Sequence, residues 1–275
     1  MNSVAIIGTG LIGASFGLAL RKSGFSGSIL GVSSDRALAE ALSVHAIDRG
    51  VPLADAVPEA CLIFLSQPIG RIIDTVRHLD PLVRPDALVT DAGSTKCEIV
   101  DIARRRLTRC QFLGGHPMAG KEKRGASAAG PDLFRDHPWA LTPDDPSELE
   151  TAPAREFRTW LARIGARPIV LDADEHDRIV SLTSHLPQLA STALASLLSE
   201  CAHADLSGSG LLDMTRLALS SYDLWRDILA TNADHIDRAL SRYIQKLEHL
   251  RENLRTRQLQ DEFTRAAALA TRLRH

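Results

Sequence analysis

A glycine-rich turn near the N-terminus constrains the fold more than any other feature of the sequence. The β-branched run Val4–Ile7 is followed directly by GTGLIG at residues 8–13, which opens a stretch of helical character. This order of strand, turn and helix is the context in which G-x-G-x-x-G binds a dinucleotide. The glycines allow a tight turn, a close approach of the backbone to a pyrophosphate and close helix packing, and the helix N-terminus offers free N–H groups to the phosphates. The predicted cofactor contacts in this turn are Gly8, Gly10, Leu11, Ile12 and Gly13.

The first two thirds of the chain alternates between strand-like and helix-like segments. Strands are predicted at Val4–Ile7, Ser28–Val32, 61–65 and 87–91, with shorter ones at Gln111–Leu113, Trp139–Leu141 and Pro168–Leu171. Helices are predicted at Leu11–Lys22, Arg36–His45, Ile69–His78 and Thr95–Leu107. Strands that alternate with helices form a parallel sheet covered by helices. We therefore predict an α/β fold that begins with a Rossmann-type, doubly wound parallel sheet.

The pattern changes after Asp172. Helical periodicity rich in Ala, Leu and Ser runs nearly to the end of the chain, and SGSG at 207–210 is the one clear break. We predict a dinucleotide-binding Rossmann domain over residues 1–171 and an all-α substrate and dimerisation domain over residues 172–275. Long apolar helices in so small a unit cannot bury their faces alone, so a helical homodimer interface is expected.

The composition is that of a globular protein, with 44% hydrophobic and 24% charged residues. The formal net charge of −2 gives no basic face for nucleic acid. The nearly uncharged segment 4–20 resembles a signal peptide or membrane span, but its four glycines and the absence of a preceding basic residue favour a buried strand, turn and helix. The four cysteines lie far apart and no histidine pair stands at i, i+4, so we expect a cytoplasmic protein with reduced thiols, no metal and no membrane partner.

The choice between NAD and NADP depends on the end of the second predicted strand. An acidic residue about 20 positions after the glycine fingerprint normally holds the ribose 2′-OH of NAD. Ser33 stands where that carboxylate is expected, and Arg36 is close enough to pair with a 2′-phosphate. Asp35 comes two residues late, and capping the following helix accounts for it. We therefore favour NADP. The remaining predicted cofactor contacts are Ser33, Ser34, Arg36, Ser66 and Pro68.

His116 lies in the segment FLGGHPMAG at residues 112–120. The glycines and the proline around it predict a tight turn at the carboxyl edge of the sheet, where doubly wound folds bind ligands. By these residues alone, His116 is a packed core histidine, a surface residue or a proton acceptor whose pKa suits that task, since the sequence offers no partners for a metal ligand.

Four further motifs follow the glycine turn: TDAGSTK at 90–96, GGHPMAG at 114–120, SHLPQ at 184–188 and DMTRLA at 213–218. In this combination the chain resembles the prephenate and arogenate dehydrogenases of tyrosine biosynthesis. The resemblance implies a Rossmann domain joined to a helical dimerisation domain, and it implies oxidative decarboxylation as the reaction. A hydride leaves ring C4 of prephenate for NAD(P)+, CO2 leaves C1, and the ring becomes aromatic.

The resemblance also implies roles for single residues. His116 accepts the proton of the C4 hydroxyl, and Ser94 lies beside the nicotinamide, bonded to that histidine and to the hydroxyl. Arg216 in DMTRLA binds a substrate carboxylate, which a guanidinium grips in bidentate fashion. By the residues alone, Ser94 is equally an ordinary N-cap of the helix that follows, and Lys96 decorates its first turn.

His176 and His185 stand nine residues apart, so on a straight helix they point about 180° away from each other. Asp177 and Ser181 share a face with His185 instead. Only one of the two histidines is therefore expected to face the cleft, and the match to SHLP selects His185 as a substrate contact. His176 is expected at the surface or between the domains, and Pro187 is expected to kink the helix.

Two other functions stay open. An arogenate dehydrogenase would act on a side chain that ends as an amino acid, and Gln188 is a candidate for that choice. A non-catalytic NADP sensor needs only the nucleotide site, so the intact Ser94, His116, His185 and Arg216 favour the enzyme. A fused chorismate mutase or amino-acid-sensing domain is not expected, because few residues precede the first strand and the helical tail is short. Tyrosine inhibition would then act at or near the active site.

Overall fold

The computed structural model describes residues 1–121, 123–256 and 258–274, so that position 275, the end of the predicted helical domain, lies outside the described residues. The strands are β1 (Ser3–Ile7), β2 (Ser28–Val32), β3 (Arg49–Gly50), β4 (Leu62–Leu65), β5 (Leu88–Asp91), β6 (Gln111–Pro117), β7 (Pro138–Thr142) and β8 (Arg167–Val170). The first six helices are α1 (Leu11–Lys22), α2 (Asp35–Ser43), α3 (Leu53–Glu59), α4 (Ile69–Leu79), α5 (Cys97–Arg106) and α6 (Ala152–Arg163).

After β8 the described chain is helical. Its helices are α7 (Ala173–Val180), α8 (Leu186–Leu198), α9 (Ser209–Thr215), α10 (Tyr222–Thr231), α11 (Ala233–Glu252) and α12 (Gln260–Arg272). A π-turn over Ser181–His185 joins α7 to α8, and a 3-10 turn over Arg216–Leu219 follows α9.

The strands form one sheet in the order β3-β2-β1-β4-β5-β6-β7-β8. The pairs from β3 to β6 are parallel, β7 runs antiparallel to β6, and β8 runs parallel to β7. The predicted doubly wound, Rossmann-type sheet is confirmed, with the antiparallel β6–β7 pair as its one departure from parallel pairing. The strand order reverses between β1 and β4, and folds of this class bind ligands in the crevice at that point, outside the carboxyl ends of the strands.

Both faces of the sheet are buried, because residues along each central strand alternate between two hydrophobic clusters. Ile6 and Phe64 belong to one cluster, where the ring centroids of Phe64 and Phe16 lie 4.3 Å apart. Ile7 and Leu65 belong to the other cluster, with helix α4. Two-sided burial explains why these strands read as continuous apolar runs.

The predicted strands and helices of the first part are present, with most ends shifted by one or two residues. The tight turn predicted around His116 is wrong, since residues 114–117 continue β6 and pair with β7. β3, α3 and α6 were not predicted. Helix α6 carried a usable signal, because Ala154, Phe157 and Leu161 are buried at helical spacing. Helix α3 contains Pro58, which masks its pattern.

The helical part contacts the first part near the N-termini of α4 and α5. The Asp227 carboxylate accepts a hydrogen bond from Gly70 N at 3.1 Å, and the hydroxyls of Thr95 and Thr231 lie 2.7 Å apart. Because both helices start at the carboxyl edge of the sheet, these bonds place α10 beside the crevice.

Within the described residues, every helix is too short or too polar to cross a membrane. The segment 4–20 forms β1 and most of α1, as its residue pattern predicts.

Two glycines of the first βα unit provide a test of packing. A Cβ at Gly17 in α1 would lie 2.0 Å from the Ala46 carbonyl oxygen, whereas a Cβ at Gly10 would meet no atom within 4 Å. We expect Gly17→Ala to lower the free energy of unfolding by about 1–3 kcal/mol, because a packed interior resists added volume. Gly10→Ala should change it by less than about 0.5 kcal/mol. Urea unfolding of the ligand-free protein measures both, and equal losses would contradict the difference in packing.

Candidate active site

The glycine turn after β1 is held against the ends of both neighbouring strands. Gly8 has a φ of +100°, which favours glycine, and a Cβ there would lie 2.8 Å from the Ser66 carbonyl carbon. The Ser66 hydroxyl donates to Gly8 O at 2.7 Å, and Gly8 N donates to Val32 O at 2.8 Å. The structure therefore brings together Gly8 and Ser66, two of the predicted cofactor contacts.

The start of helix α1 is open in front of this turn. Gly10 is the N-cap residue, with no side chain to cap the helix and open space where a Cβ would be. Leu11 and Ile12 are partly exposed, and Gly13 is packed so that a Cβ would lie 2.1 Å from Gly8 O. This accessible helix N-terminus fits a pyrophosphate, whose oxygens can accept hydrogen bonds from the free backbone N–H groups.

The residues after β2 are exposed at the same edge of the sheet. Ser33, Ser34 and Arg36 all lie at the surface, and the Arg36 side chain is 91% exposed, with its guanidinium 4.0 Å from the Glu40 carboxylate. Ser34 is the N-cap residue of α2 and Asp35 is its first helical residue, so the capping role expected for Asp35 is wrong. On the other side of the crevice, Pro68 is exposed as the N-cap residue of α4.

His116 lies in a strand rather than a turn. It is paired with Ala140 of β7, near the carboxyl end of β6. Because β6 runs parallel to β5, this end meets the same sheet edge as the glycine turn. The position before His116 requires glycine, because a Cβ on residue Gly115 would lie only 2.7 Å from the backbone oxygen of Asp91. The His116 side chain is partly exposed and is held by strand pairing on a rigid part of the fold.

A buried ion pair fixes the backbone beside this histidine. Asp91 and Lys96 have fully buried side chains and form a direct salt bridge. Lys96 Nζ also donates to Gly115 O at 2.7 Å, and the Asp91 carboxylate accepts from Gly115 N at 3.0 Å. Both polar backbone groups of Gly115 are therefore held by this pair. The interpretation of Lys96 as decoration of a helix turn is wrong.

His116 is hydrogen-bonded to a second histidine. His116 Nδ1 lies 2.9 Å from His176 Nε2, and His176 Nδ1 lies 2.7 Å from Asp177 Oδ1. His176 is 2% exposed and Asp177 is fully buried. The surface position considered for His176 is therefore wrong, and its position between the two parts of the chain is confirmed, because the contact joins β6 to α7.

Asp177 also caps helix α5. Its two carboxylate oxygens accept from Lys96 N at 2.7 Å and from Cys97 N at 2.9 Å. The N-cap residue of α5 is Lys96, so the capping alternative for Ser94 is wrong. Ser94 lies partly exposed between β5 and α5. Among the residues that the structure describes, the hydrogen-bond partner of the His116 ring is His176 and not Ser94.

The π-turn between α7 and α8 brings His185 to the same place. A π-turn holds more residues per turn than an α-helix, so His176 and His185 are not separated by the rotation of a straight helix. Both are buried, and a positive charge on either would lower the pKa of His116, so both lie near it. The expectation that only one of them faces the cleft stays a prediction. The kink expected at Pro187 is present as this π-turn. Pro187 has no N–H to donate to the carbonyl of Thr183, four residues earlier, so the regular α-helical hydrogen bond is missing there.

Asn232 determines which nitrogen of His185 carries its proton. The Asn232 amide nitrogen donates to Asp177 O at 2.9 Å and lies 3.2 Å from His185 Nδ1. Because Asp177 O can only accept, the NH2 group faces both partners, and His185 Nδ1 is an acceptor. Burial lowers the pKa of His185 to about 4, although the Asp177 carboxylate opposes this effect. Neutral His185 therefore carries its proton on Nε2.

Arg216 is exposed at the start of the 3-10 turn after α9. Two buried side chains of α8 hold this turn. Gln188 donates to Leu217 O at 2.9 Å, and Ser191 accepts from Ala218 N at 3.0 Å. Gln188, considered for the choice of substrate, is thus engaged in positioning the backbone next to Arg216.

The surroundings of His116 keep its ring neutral. Although the side chain is partly exposed, burial of most of the ring, followed by the positive charges that His176, Lys96 and His185 can carry, holds the pKa of His116 well below its usual value near 6.5. A neutral imidazole accepts a proton from a hydroxyl within hydrogen-bond reach. The arrangement can therefore deprotonate a hydroxyl group at the sheet edge that also carries the glycine turn.

Sequence reasoning missed the roles of Lys96, Asp177 and Asn232. For Lys96 a signal was present, because TDAGSTK places an aspartate at the end of a buried strand and a lysine five residues later. The contacts of Asp177 and Asn232 cross between elements distant in the chain, and their local sequence carries no sign of them.

Two family models match the chain. The model described as "Prephenate dehydrogenase, nucleotide-binding domain" matches residues 16–170, and the model described as "Prephenate dehydrogenase, dimerization domain" matches residues 172–268.

Named relatives agree with these matches. A prephenate dehydrogenase of Bacillus subtilis is 32% identical over 91% of the chain and 69% of its own length, and one of Lactococcus lactis is 34% identical over 85% and 66%. The chain thus spans about two thirds of the length of these two relatives. A cyclohexadienyl dehydrogenase of Zymomonas mobilis is 31% identical over 90% of the chain and 87% of its own length.

Solved structures with the same fold include two dehydrogenases. Prephenate dehydrogenase from A. aeolicus, in complex with hydroxyphenyl propionate and NAD+, superposes with a TM-score of 0.83 at 29% identity, covering 100% of the chain and 97% of that protein. Synechocystis arogenate dehydrogenase gives a TM-score of 0.80 at 29% identity, over 99% and 98%.

The burial of His185 predicts a loss of stability in acid. The pKa of this histidine is about 4 when folded and about 6.5 when unfolded, so between these values the unfolded chain binds a proton that the folded chain does not. The free energy of unfolding is therefore unaffected by His185 protonation above about pH 6.5. As the pH falls from there towards 4, it decreases by up to about 1.4 kcal/mol per pH unit. His185→Asn should flatten the pH dependence of the free energy of unfolding between pH 6.5 and 4, relative to the difference at pH 7.5. Parallel curves for the variant and the wild type would contradict the assignment.

Proposed function

The chain belongs to the prephenate dehydrogenase family, and from that premise we propose that it catalyses the oxidative decarboxylation of prephenate to 4-hydroxyphenylpyruvate with NAD(P)+. The observation that carries the proposal is the neutral His116 at the carboxyl edge of the sheet, the same edge that carries the glycine turn. Loss of CO2 makes the substrate ring aromatic, so the task of the protein is to hold a dianion and to accept the hydroxyl proton as the hydride departs.

Four side chains would handle the substrate. His116 accepts the proton of the C4 hydroxyl, and Ser94, after the neighbouring strand, orients that hydroxyl. His185 donates from its Nε2–H to the substrate, which its contact with Asn232 supports. Arg216 binds a carboxylate of the dianion through its guanidinium. Each role rests on the motif that carries the residue, and for His116 also on its position at the carboxyl edge of the sheet.

A nicotinamide dinucleotide would occupy the cradle at the start of α1 and would supply the hydride acceptor when bound. The residues that would hold it are Gly8, Gly10, Leu11, Ile12, Gly13, Ser66 and Pro68. The nucleotide-binding family model and the NAD+ complex of the A. aeolicus relative support the use of NAD(P). We favour NADP, because Ser33 offers no carboxylate to the ribose. The Arg36 side chain is exposed and its contact with Glu40 is long, at 4.0 Å, so the guanidinium can reorient towards a 2′-phosphate.

Arogenate is the second candidate substrate. The likeness to Synechocystis arogenate dehydrogenase and to a cyclohexadienyl dehydrogenase of Zymomonas mobilis favours it. Arogenate and prephenate share the ring, the C4 hydroxyl and the C1 carboxylate, so the same proton acceptor serves both.

We also propose that the helical part forms a homodimer. Large apolar side chains there are exposed, among them Leu219 at 82%, Tyr222 at 70% and Phe263 at 70%. Exposed apolar surface of this kind marks an interaction face, and the family model that covers residues 172–268 is described as a dimerization domain.

The reaction is tested with purified protein, prephenate or arogenate, and NAD+ or NADP+, by following the absorbance of the reduced cofactor. Turnover is expected with prephenate and NADP+. His116→Asn should lower kcat by about 10²–10⁴-fold, the usual effect of losing a general base, with little change in cofactor affinity. His78→Asn, at an exposed histidine bonded to its own helix, is the matched control. Absence of turnover in all four combinations of substrate and cofactor would refute the proposed dehydrogenase activity.

Cofactor choice is tested by Ser33→Asp. A carboxylate there would bond the ribose 2′-OH and repel a 2′-phosphate, so the ratio of kcat/KM for NAD+ over NADP+ should rise about 10-fold or more. Ser43→Asp adds the same charge at the far end of α2 and should leave that ratio unchanged. An unmoved ratio in Ser33→Asp would show that Ser33 does not face the ribose.

A further inference from the structure

Two buried residues next to the proton acceptor are not used by the reaction as described so far. His176 and Asp177 continue from His116 in a line of hydrogen bonds that runs from β6 into α7, with lengths of 2.9 Å and 2.7 Å. Both side chains are almost completely inaccessible to water. A buried, titratable pair in contact with the candidate base requires a physical explanation.

The direction of each hydrogen bond follows from the end of the line. Although burial favours the protonated form, bonds from His176, Cys97 and Lys96 hold the pKa of Asp177 below its usual value, so its carboxylate is ionised and only accepts. His176 must therefore donate from Nδ1, and in its neutral form its Nε2 is an acceptor. His116 then donates from Nδ1, which leaves the lone pair on His116 Nε2 free for a substrate.

We propose that His176 and Asp177 are positioning residues that set the tautomer of His116 and take over the proton that His116 accepts. This inference rests on the proposed function, because it concerns the same hydroxyl proton. It goes beyond that function by assigning a second histidine and a carboxylate to the reaction.

The proton moves in two coupled transfers. The O–H bond of the C4 hydroxyl breaks and an N–H bond forms at His116 Nε2 as C4 loses its hydride, for which a bound nicotinamide dinucleotide would supply the acceptor. The N–H bond at His116 Nδ1 breaks and a new one forms at His176 Nε2. His116 ends neutral, and His176 ends as an imidazolium whose Nδ1–H faces the Asp177 carboxylate. When the bond to CO2 breaks, its electron pair enters the ring, and the phenolate oxygen regains the proton by the reverse path.

The charges around the line favour this final position of the proton. An imidazolium at His116 would be repelled by the buried ammonium of Lys96, which is hydrogen-bonded to the carbonyl of the adjacent Gly115. An imidazolium at His176 lies instead against a buried carboxylate at 2.7 Å. Of the other charged groups nearby, Asp91 is already paired with Lys96, and His185 is neutral. Transfer to His176 therefore converts a repulsive arrangement into an ion pair.

Two substitutions at His176 separate its functions. His176→Gln places an amide oxygen near the former Nε2, so it can accept from His116 Nδ1 but cannot be protonated. His176→Leu removes both functions. The matched control is His235→Gln, which breaks another His–Asp contact of the helical part, the one between His235 and Asp174 at 3.1 Å.

The activity assay uses the full chain with its substrate and cofactor. We expect His176→Leu to lower kcat by about 10²-fold or more and His176→Gln by about 10-fold, with KM changed less than about 3-fold in both. His235→Gln should match the wild type. A kcat of His176→Leu equal to that of the control overturns the proposal, and equal losses in the two His176 variants overturn the role in setting the tautomer.

A second measurement does not depend on turnover. Imidazole 15N–1H correlation spectra of the ligand-free protein show which ring nitrogen of His116 carries the proton. We expect Nδ1–H in the wild type and in His176→Gln, and a mixture of tautomers in His176→Leu. A wild-type His116 protonated on Nε2 overturns the proposal even if the enzyme is active. If no substrate turns over but these spectra agree, the proposed function fails while the tautomer assignment stands.

Discussion

The site depends most on the hydrogen bonds that the buried Asp177 carboxylate accepts. It accepts from two backbone N–H groups at the start of α5 and from the ring of His176. The first two bonds attach helix α7 to the start of α5, and the third orients the ring of His176, which is in turn bonded to His116 in β6. One buried anion thus sets the relative position of the sheet edge and helix α7, and its ionised state follows from the donors around it.

A second buried anion works on the other side of His116. Asp91 and Lys96 hold both polar groups of Gly115, so the strand can carry the histidine at a defined place. A buried charge without a partner is strongly destabilising. Here each buried carboxylate is satisfied by several donors, and the Lys96 ammonium by one carboxylate and one carbonyl. Burial and the nearby positive charge of Lys96, with those that His176 and His185 can carry, hold the pKa of His116 low, so the buried lysine contributes both to the structure of the site and to its chemistry.

Much of the nucleotide-binding part could be predicted from local pattern. The G-x-G-x-x-G turn, the apolar strands and the amphipathic helices depend on neighbours in the chain, and the structure has them within one or two residues of their predicted ends. The strand around His116 could not be predicted, because glycines and a proline indicate a turn when they are read locally. Gly115 is there because the strand passes close to Asp91 O, which is a tertiary contact.

The sequence by itself determined the fold class and the order of the motifs, since both follow from hydrophobic period and from residues adjacent in the chain. Only the tertiary structure decided what surrounds His116. The contact with His176 spans 60 residues, and that between Asp177 and Lys96 spans 81. The π-turn before Pro187 changed which helix face His185 shares with His176, and no period derived from a straight helix contains that change. Buried polar groups must find partners wherever the packed chain supplies them, and those partners are a property of the packing.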